Sequence, residues 1–188
     1  GISTAAVEMG QGVNTKVLQV AAKIFSVAPE KIKVNSTNTW RIANTSPTAA
    51  SAAADLNGKA TALACHEILK RMKQVAADEI NTAIEAVEIK DENIYISGKK
   101  TELSWKKLAM LTHMKRVSLS ELSHYTPPGI HFDPVKEKGH PFAYHVYGTA
   151  IITVTIDCLR GIYEVDSVKV VHDFGQSMNT MVDMGQCE

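Results

Sequence analysis

The sequence predicts an α+β fold in two layers, with helices covering one face of a mixed sheet. Three features carry this expectation: a strand, helix, strand pattern over residues 2–35, a long helical period beginning near Pro47, and alternating apolar residues between Ile152 and Val171. With 188 residues, 45% of them hydrophobic, the chain can bury a sizeable core.

Residues 2–7 suit a short strand, and Gly10 and Gly12 bracket Gln11 in a tight connection. Val13, Val17, Val20, Ala21 and Ile24 then recur at helical spacing, which predicts a helix over 13–25 that buries one stripe. Pro29 stops it, and Ile32 and Val34 alternate with lysines and Asn35 as in a half-buried strand. A second helix is expected to start at Ser46-Pro47, because Ser accepts from free N–H groups and Pro fits the first helical position. Its nearly all-alanine opening, residues 49–54, permits close approach of another backbone or a ligand. Leu56, Ala60, Leu63, Glu67, Ile68, Met72 and Val75 continue the period, and Gly58 weakens it.

Val87 to Ile96 reads as a hairpin turning at Asp91-Glu92-Asn93, followed by an amphipathic helix over 103–114. Residues 115–144 are irregular, with Thr126-Pro127-Pro128-Gly129, Asp133-Pro134 and His140-Pro141 marking loops. Ile152, Val154, Ile156 and Cys158 alternate with Thr153, Thr155 and Asp157. Leu159-Arg160-Gly161 turns that strand into a second one through Val171, giving a long antiparallel hairpin with Cys158 on its inward side. Residue 1 is Gly, an apolar segment starts at once, and Met184 to Glu188 fall in a Gly-containing loop pattern. Residues 1–188 are therefore expected to be one unit, part of a larger domain cut at both ends.

Twenty basic residues balance twenty acidic ones, so neither nucleic acid nor an anionic membrane is favoured as a partner. No apolar run reaches the roughly 20 residues of a bilayer span. Cys65, Cys158 and Cys187 are odd in number and widely spaced, which argues against a disulfide framework and a zinc site, and a reducing cytoplasm is expected. The histidine pairs His140/His145 and His124/His131 lack the helical spacing of metal ligands, so no metal is assigned to side chains.

Two motifs point to a ligand. Glu8-Met9-Gly10-Gln11-Gly12 sits where a strand gives way to a helix: glycines allow close approach, free N–H groups at the helix start favour an anion, and the Gln amide both donates and accepts. The same glycine pair is also ordinary punctuation between elements. Asn44 to Ser51 places hydroxyls and tiny side chains at another expected helix start, which fits a phosphate or a polar polycyclic ligand but equally a capped helix packed on a sheet. Gly175-Gln176 and Gly185-Gln186 repeat the pairing of glycine with glutamine.

In order along the chain, Glu8-Met9-Gly10-Gln11-Gly12, Asn44-Thr45-Ser46-Pro47-Thr48-Ala49-Ala50-Ser51, Asp55-Leu56-Asn57-Gly58, Tyr147-Gly148-Thr149-Ala150 and Asp183-Met184-Gly185-Gln186 resemble the signatures of the xanthine dehydrogenase/aldehyde oxidase family's molybdenum-binding region. The loop Tyr125 to Asp133 and Pro141-Phe142 resemble the xanthine dehydrogenase branch. The resemblance implies that Met9, Gly10, Gln11, Gly12, Thr48, Ala49, Ala50, Ser51 and Gln186 contact molybdopterin or its phosphate. It implies too that no side chain binds molybdenum, because cofactor sulfurs and nonprotein ligands hold it. Ala53 is small where relatives often carry a hydroxyl. The family's glutamate base, in a Gly-Glu-Pro-Pro motif, and its substrate arginine have no counterpart in these residues, so no catalytic residue is assigned and the isolated chain is expected to be inactive.

The resemblance further implies a parent that hydroxylates a purine with oxygen from water. The rest of the molybdenum subunit and domains or subunits carrying iron–sulfur clusters and FAD are its expected partners. An aldehyde or another N-heterocycle remains an alternative substrate, and a noncatalytic anion-binding or interaction domain is the alternative of another class. Homo-oligomer formation through apolar surface is also expected.

Overall fold

A computed structural model of the chain describes residues 1–35, 37–42 and 47–187. The α+β class holds, with the strands among the described residues distributed over four small sheets. By its contacts the chain divides into two compact units: Gly1–Thr126 with Met184–Glu188, and Pro127–Asp183.

The first unit opens with β1 (Ile2–Ser3), α1 (Val13–Phe25) and β2 (Val34–Asn35). Joining β1 to β2 through a helix makes the strands parallel, with Ile2 opposite Val34. The helix lies where the apolar spacing predicts, and Val13, Val17, Ala21 and Ala22 are its buried stripe. Ala6, Val13 and Val17 form a small core covered by Ile2, Val34, Ala53 and Ala54. The helix stops at Ser26, whose left-handed backbone (φ 51°) lets its N–H close on Ala22 and Lys23 carbonyls. Pro29 instead opens a short 3₁₀ turn, Pro29–Lys31.

The second helix, α2, spans Ala53–Ile80, so the expected start at Ser46-Pro47 is corrected. Ser46 lies outside the described residues, as do Asn44 and Thr45 of the same motif. Ala50 (φ 55°) and Ser51 (φ 56°) have left-handed backbones, and two such residues in a row cannot continue a right-handed helix. The C-terminal half of α2 and α3 (Trp105–Met114) cover the larger core: Met72, Val75, Ala76 and Ala77 meet Val87, Ile94 and Leu108. Their sheet is β3 (Val87–Lys90), β4 (Asn93–Ile96) and β5 (Lys99–Ser104), antiparallel in that order. The hairpin at Asp91-Glu92 matches the sequence reading; β5, entered through Ser97-Gly98, adds a strand to it. Ser104 caps α3 by accepting from Lys107 N at 3.3 Å.

Polar contacts tie these parts together. Glu92 Oε1 accepts from Ala28 N at 3.1 Å and its other oxygen pairs with Lys31, which joins the β3–β4 turn to the chain after α1. Arg71 on α2 donates to Glu121 Oε2 (2.7 Å) and to the Ser120 carbonyl (3.0 Å). These donors hold the Glu92 and Glu121 carboxyls below their ordinary values, Lys31 leading in the first case and Arg71 in the second.

In the second unit, β6 (His131–Asp133) pairs with β7 (Lys138–His140), a small hairpin inside the stretch read as irregular. The long hairpin is present: β8 (Tyr147–Asp157) and β9 (Ile162–Asp173) run antiparallel from Tyr147 opposite Asp173, with a register shift between Thr153 and Val154. Cys158 falls in the turn beyond β8 and is exposed, so the expectation that it faces inward is corrected. Residues 180–187 form α4 (Thr180–Cys187) rather than the expected loop, its residues from Met184 on belonging to the first unit, with Asn179 Oδ1 accepting from Val182 N at 3.1 Å near its start. Among the described residues no helix is long and apolar enough to cross a membrane.

Candidate functional site

The connection from β1 to α1 is held by its own side chains. Gly10 (φ 102°) and Gly12 (φ 76°) take backbone conformations that a Cβ disfavours, which is why glycine stands at both positions. Glu8 Oε1 accepts from Gly10 N and Gly12 N, both at 3.0 Å, and Oε2 accepts from Asn14 N at 2.9 Å. The Gln11 amide folds back, Nε2 donating to the Val7 carbonyl (2.8 Å) and Oε1 accepting from Met9 N (2.6 Å). Each amide atom retains one further hydrogen-bonding position.

This arrangement corrects one element of the sequence reading. The N–H groups at the start of α1 were expected to be free for an anion, but a carboxylate of the same chain already takes those of Gly12 and Asn14. Backbone donors, Asn14 N–H foremost, hold the Glu8 carboxyl below its ordinary value against a smaller opposing effect of burial. A carboxylate so stabilised is a poor general base.

Val7 N donates to Thr48 Oγ1 at 2.9 Å, which fixes the segment before α2 against this loop. A cavity of about 310 Å³ opens between them, entirely within the first unit. Met9 and Gln11 line it from the loop, Val13 and Lys16 from α1, Thr48, Ala49 and Ser51 from the segment before α2, Ala53 and Ala54 from that helix, and Gln186 from α4. Of the residues the sequence singled out, Met9, Gln11, Thr48, Ala49, Ser51 and Gln186 share this cavity. Gly10, Gly12 and Ala50 do not line it; all three have positive φ and shape the backbone beside it.

Lys16 was missed. It sits three residues after Val13 on the same face of α1, a spacing that marks it as a neighbour of the Gln11 loop. Ala53 and Ala54 were read only as part of an alanine run. A larger hollow of about 640 Å³, where Gln19, Lys23 and Ser26 face Asp91 and Glu92, contains none of the singled-out residues. Glu92 there is engaged by Ala28 and Lys31, so we read the hollow as a seam between elements.

His131 and His140 face each other across β6 and β7 with ring centroids 5.2 Å apart. Among the described residues no three or more His, Cys, Asp or Glu side chains gather as a metal site would require. The 310 Å³ cavity thus offers amides, hydroxyls, one lysine and a floor of alanines. Such a lining can meet a ligand that both donates and accepts hydrogen bonds.

Fold and cavity together define an α+β module with a cavity, lined by small residues and two amides, beside the starts of α1 and α2. The chain belongs to the molybdopterin cofactor-binding domain family, whose model matches residues 1–188. It is 37% identical over 182 residues to xanthine dehydrogenase of Oryza sativa subsp. japonica, covering 97% of this chain, and 37% identical over 181 residues to xanthine dehydrogenase/oxidase of Mus musculus, covering 96%. It spans 12% of the length of each of these relatives. Among solved structures, quinoline 2-oxidoreductase from Pseudomonas putida 86 superposes with a TM-score of 0.76 over 98% of this chain and 23% of that one, at 19% identity. CO dehydrogenase from Oligotropha carboxidovorans gives 0.76 over 98% and 22%, at 20% identity. These two likenesses show the shared fold.

Proposed function

We propose that this chain supplies pterin and phosphate contacts in the molybdenum-binding part of a xanthine dehydrogenase-type hydroxylase. The observation that carries the reading is the meeting of Met9, Gln11, Thr48, Ala49, Ser51 and Gln186 at one cavity, although they come from three distant parts of the sequence.

The residues present fit such a cofactor. The Gln11 and Gln186 amides match a pterin edge that both donates and accepts, while Thr48 and Ser51 hydroxyls and the Lys16 ammonium suit its phosphate. Ala49, Ala53 and Ala54 leave room for a flat ring system. When bound, the molybdenum cofactor supplies two-electron redox chemistry in which water provides the oxygen that enters the substrate. The role of this chain is to bind, orient and hydrogen-bond it.

Purines are the proposed substrates of the parent, supported by the 37% identity to xanthine dehydrogenases. Its proposed partners are the remainder of the molybdenum subunit and domains or subunits bearing iron–sulfur clusters and FAD, in the cytoplasm. The Gly-Glu-Pro-Pro motif is absent from these 188 residues, and the chain by itself is expected to show no hydroxylase activity. Glu8 at the start of α1 counts against a general anion-binding domain, because it already fills the place an anion would take there.

The test is to purify the full-length protein, measure molybdenum, and quantify released pterin by fluorescence after oxidation. Wild-type protein is expected to carry both, and Gln186→Ala with Ser51→Val to lose most of the pterin. Wild-type protein that carries neither would overturn the reading.

A further inference from the structure

We propose that Glu8 is a positioning residue of the cofactor site: its carboxylate takes the place of an anion at the start of α1, so that the Gln11 loop meets a neutral part of the ligand. The inference rests on the pterin reading above and adds the direction in which the ligand lies.

The first turn of a helix presents N–H groups without internal partners and a partial positive charge, and anions collect there. In α1 the first turn holds no acidic residue, and the Gly12 cap has no side chain with which to accept. Glu8 supplies the acceptor from upstream. One oxygen holds Gly10 N and Gly12 N, the other holds Asn14 N, so a single carboxylate grips the loop on both sides of Gln11. Gln11, clamped between these points and folded onto Val7 and Met9, has its position set by that grip.

The backbone N–H groups of Gly10, Gly12 and Asn14 are spent on Glu8, and a second negative charge beside that carboxylate is repelled. The phosphate end of the ligand is therefore directed away from Glu8, to the Thr48 and Ser51 hydroxyls of the segment before α2, and its neutral ring end to Met9 and Gln11.

The experiment compares Glu8→Ala and Glu8→Gln with wild type in the full-length protein, reading bound pterin per protein with and without added sodium formate. Formate fits the space vacated in Glu8→Ala and restores the missing carboxylate. The expected result is a pterin loss of roughly tenfold in Glu8→Ala, partly reversed by formate, with Glu8→Gln between the two. Full pterin content in Glu8→Ala overturns the proposal, and so does a loss that formate leaves untouched, since the defect is then not the absent charge. If Glu8→Ala fails to fold, Glu8→Gln carries the test: hydrogen exchange at Gly10, Gly12 and Asn14 must speed up together with pterin loss, and unchanged exchange overturns the proposal. Wild-type protein without pterin removes the cofactor reading itself, which separates that failure from one specific to Glu8.

Discussion

Thr48 Oγ1 lies 2.9 Å from the Val7 backbone nitrogen and accepts its hydrogen bond across 41 residues of sequence. That contact joins the segment after β1 to the segment before α2, and both go on to line the same cavity. Thr48→Val keeps the shape and removes the acceptor, leaving Val7 N–H with water as its partner. A stability loss of about 1 kcal/mol is expected, since the site is partly solvated. Urea unfolding measures it. Pterin content in the full-length protein should fall with it, and a variant that keeps both values would show that the cavity walls are held together elsewhere.

The limits of the sequence are clearest at this point. α1 was legible because Val13, Val17 and Ala21 repeat at helical spacing on a face that is in fact buried, and β8 and β9 because apolar and polar residues alternate along them. The start of α2 was not. Alanine favours helix, so Ala49 and Ala50 read as its first turn, yet the left-handed backbones of Ala50 and Ser51 hold that turn open beside the tertiary contact of Thr48. Similarly, Met184-Gly185-Gln186 looked like a loop because of its glycine, whereas it completes α4. Glycine–glutamine motifs and the hydroxyl- and alanine-rich segment before α2 flagged the candidate site residues piece by piece. Their meeting depends on long-range packing, which local pattern does not encode, and it was legible only through the resemblance.

Gly58 is an opportunity for stabilisation. It lies inside α2 with helical backbone, and a Cβ built there meets nothing nearer than Val20 Cγ2 at 3.8 Å, an ordinary contact. Alanine therefore fits without strain and restricts the unfolded chain. Gly58→Ala should raise stability by roughly 0.5–1 kcal/mol. A lower unfolding midpoint in urea would mean that α1 and α2 pack too closely at Val20 for the added methyl.

The three cysteines should separate by reactivity. Cys65 is 5% exposed on α2, and burial pushes its thiol up to about 11, whereas Cys158 and Cys187 are exposed. With Ellman's reagent at neutral pH, Cys158 and Cys187 should react promptly and Cys65 only after denaturation. The same burial sets a pH dependence. The native state keeps the Cys65 proton while the unfolded chain releases it above its ordinary value of 9.0, so stability falls as pH rises from about there toward 11. Cys65→Ala is expected to be less stable than wild type at neutral pH, with the gap narrowing over that range. A gap that stays constant would argue that the thiol is more hydrated than its burial implies.

The hairpin of β8 and β9 leaves apolar side chains exposed on both strands: Ile152 is 57% and its partner Val168 56% exposed, and Ile151, Val154, Ile156 and Val170 are similarly open. A two-stranded ribbon is marginal in water by itself, and contiguous apolar surface of this kind promotes association. The 188-residue chain in isolation should therefore form concentration-dependent oligomers, visible as a rise in scattering mass on concentration. Lysine at both members of a directly opposed pair places like charges side by side and adds hydration to the patch. Ile152→Lys with Val168→Lys should thus lower the association markedly while leaving the larger core of Met72, Ile94 and Leu108, which lies in the other unit, unchanged. Far-UV circular dichroism checks the second half of that expectation, because helices α1, α2 and α3, all in that unit, dominate the signal. Oligomers that persist in the double variant with wild-type helicity would move the associating surface away from this hairpin.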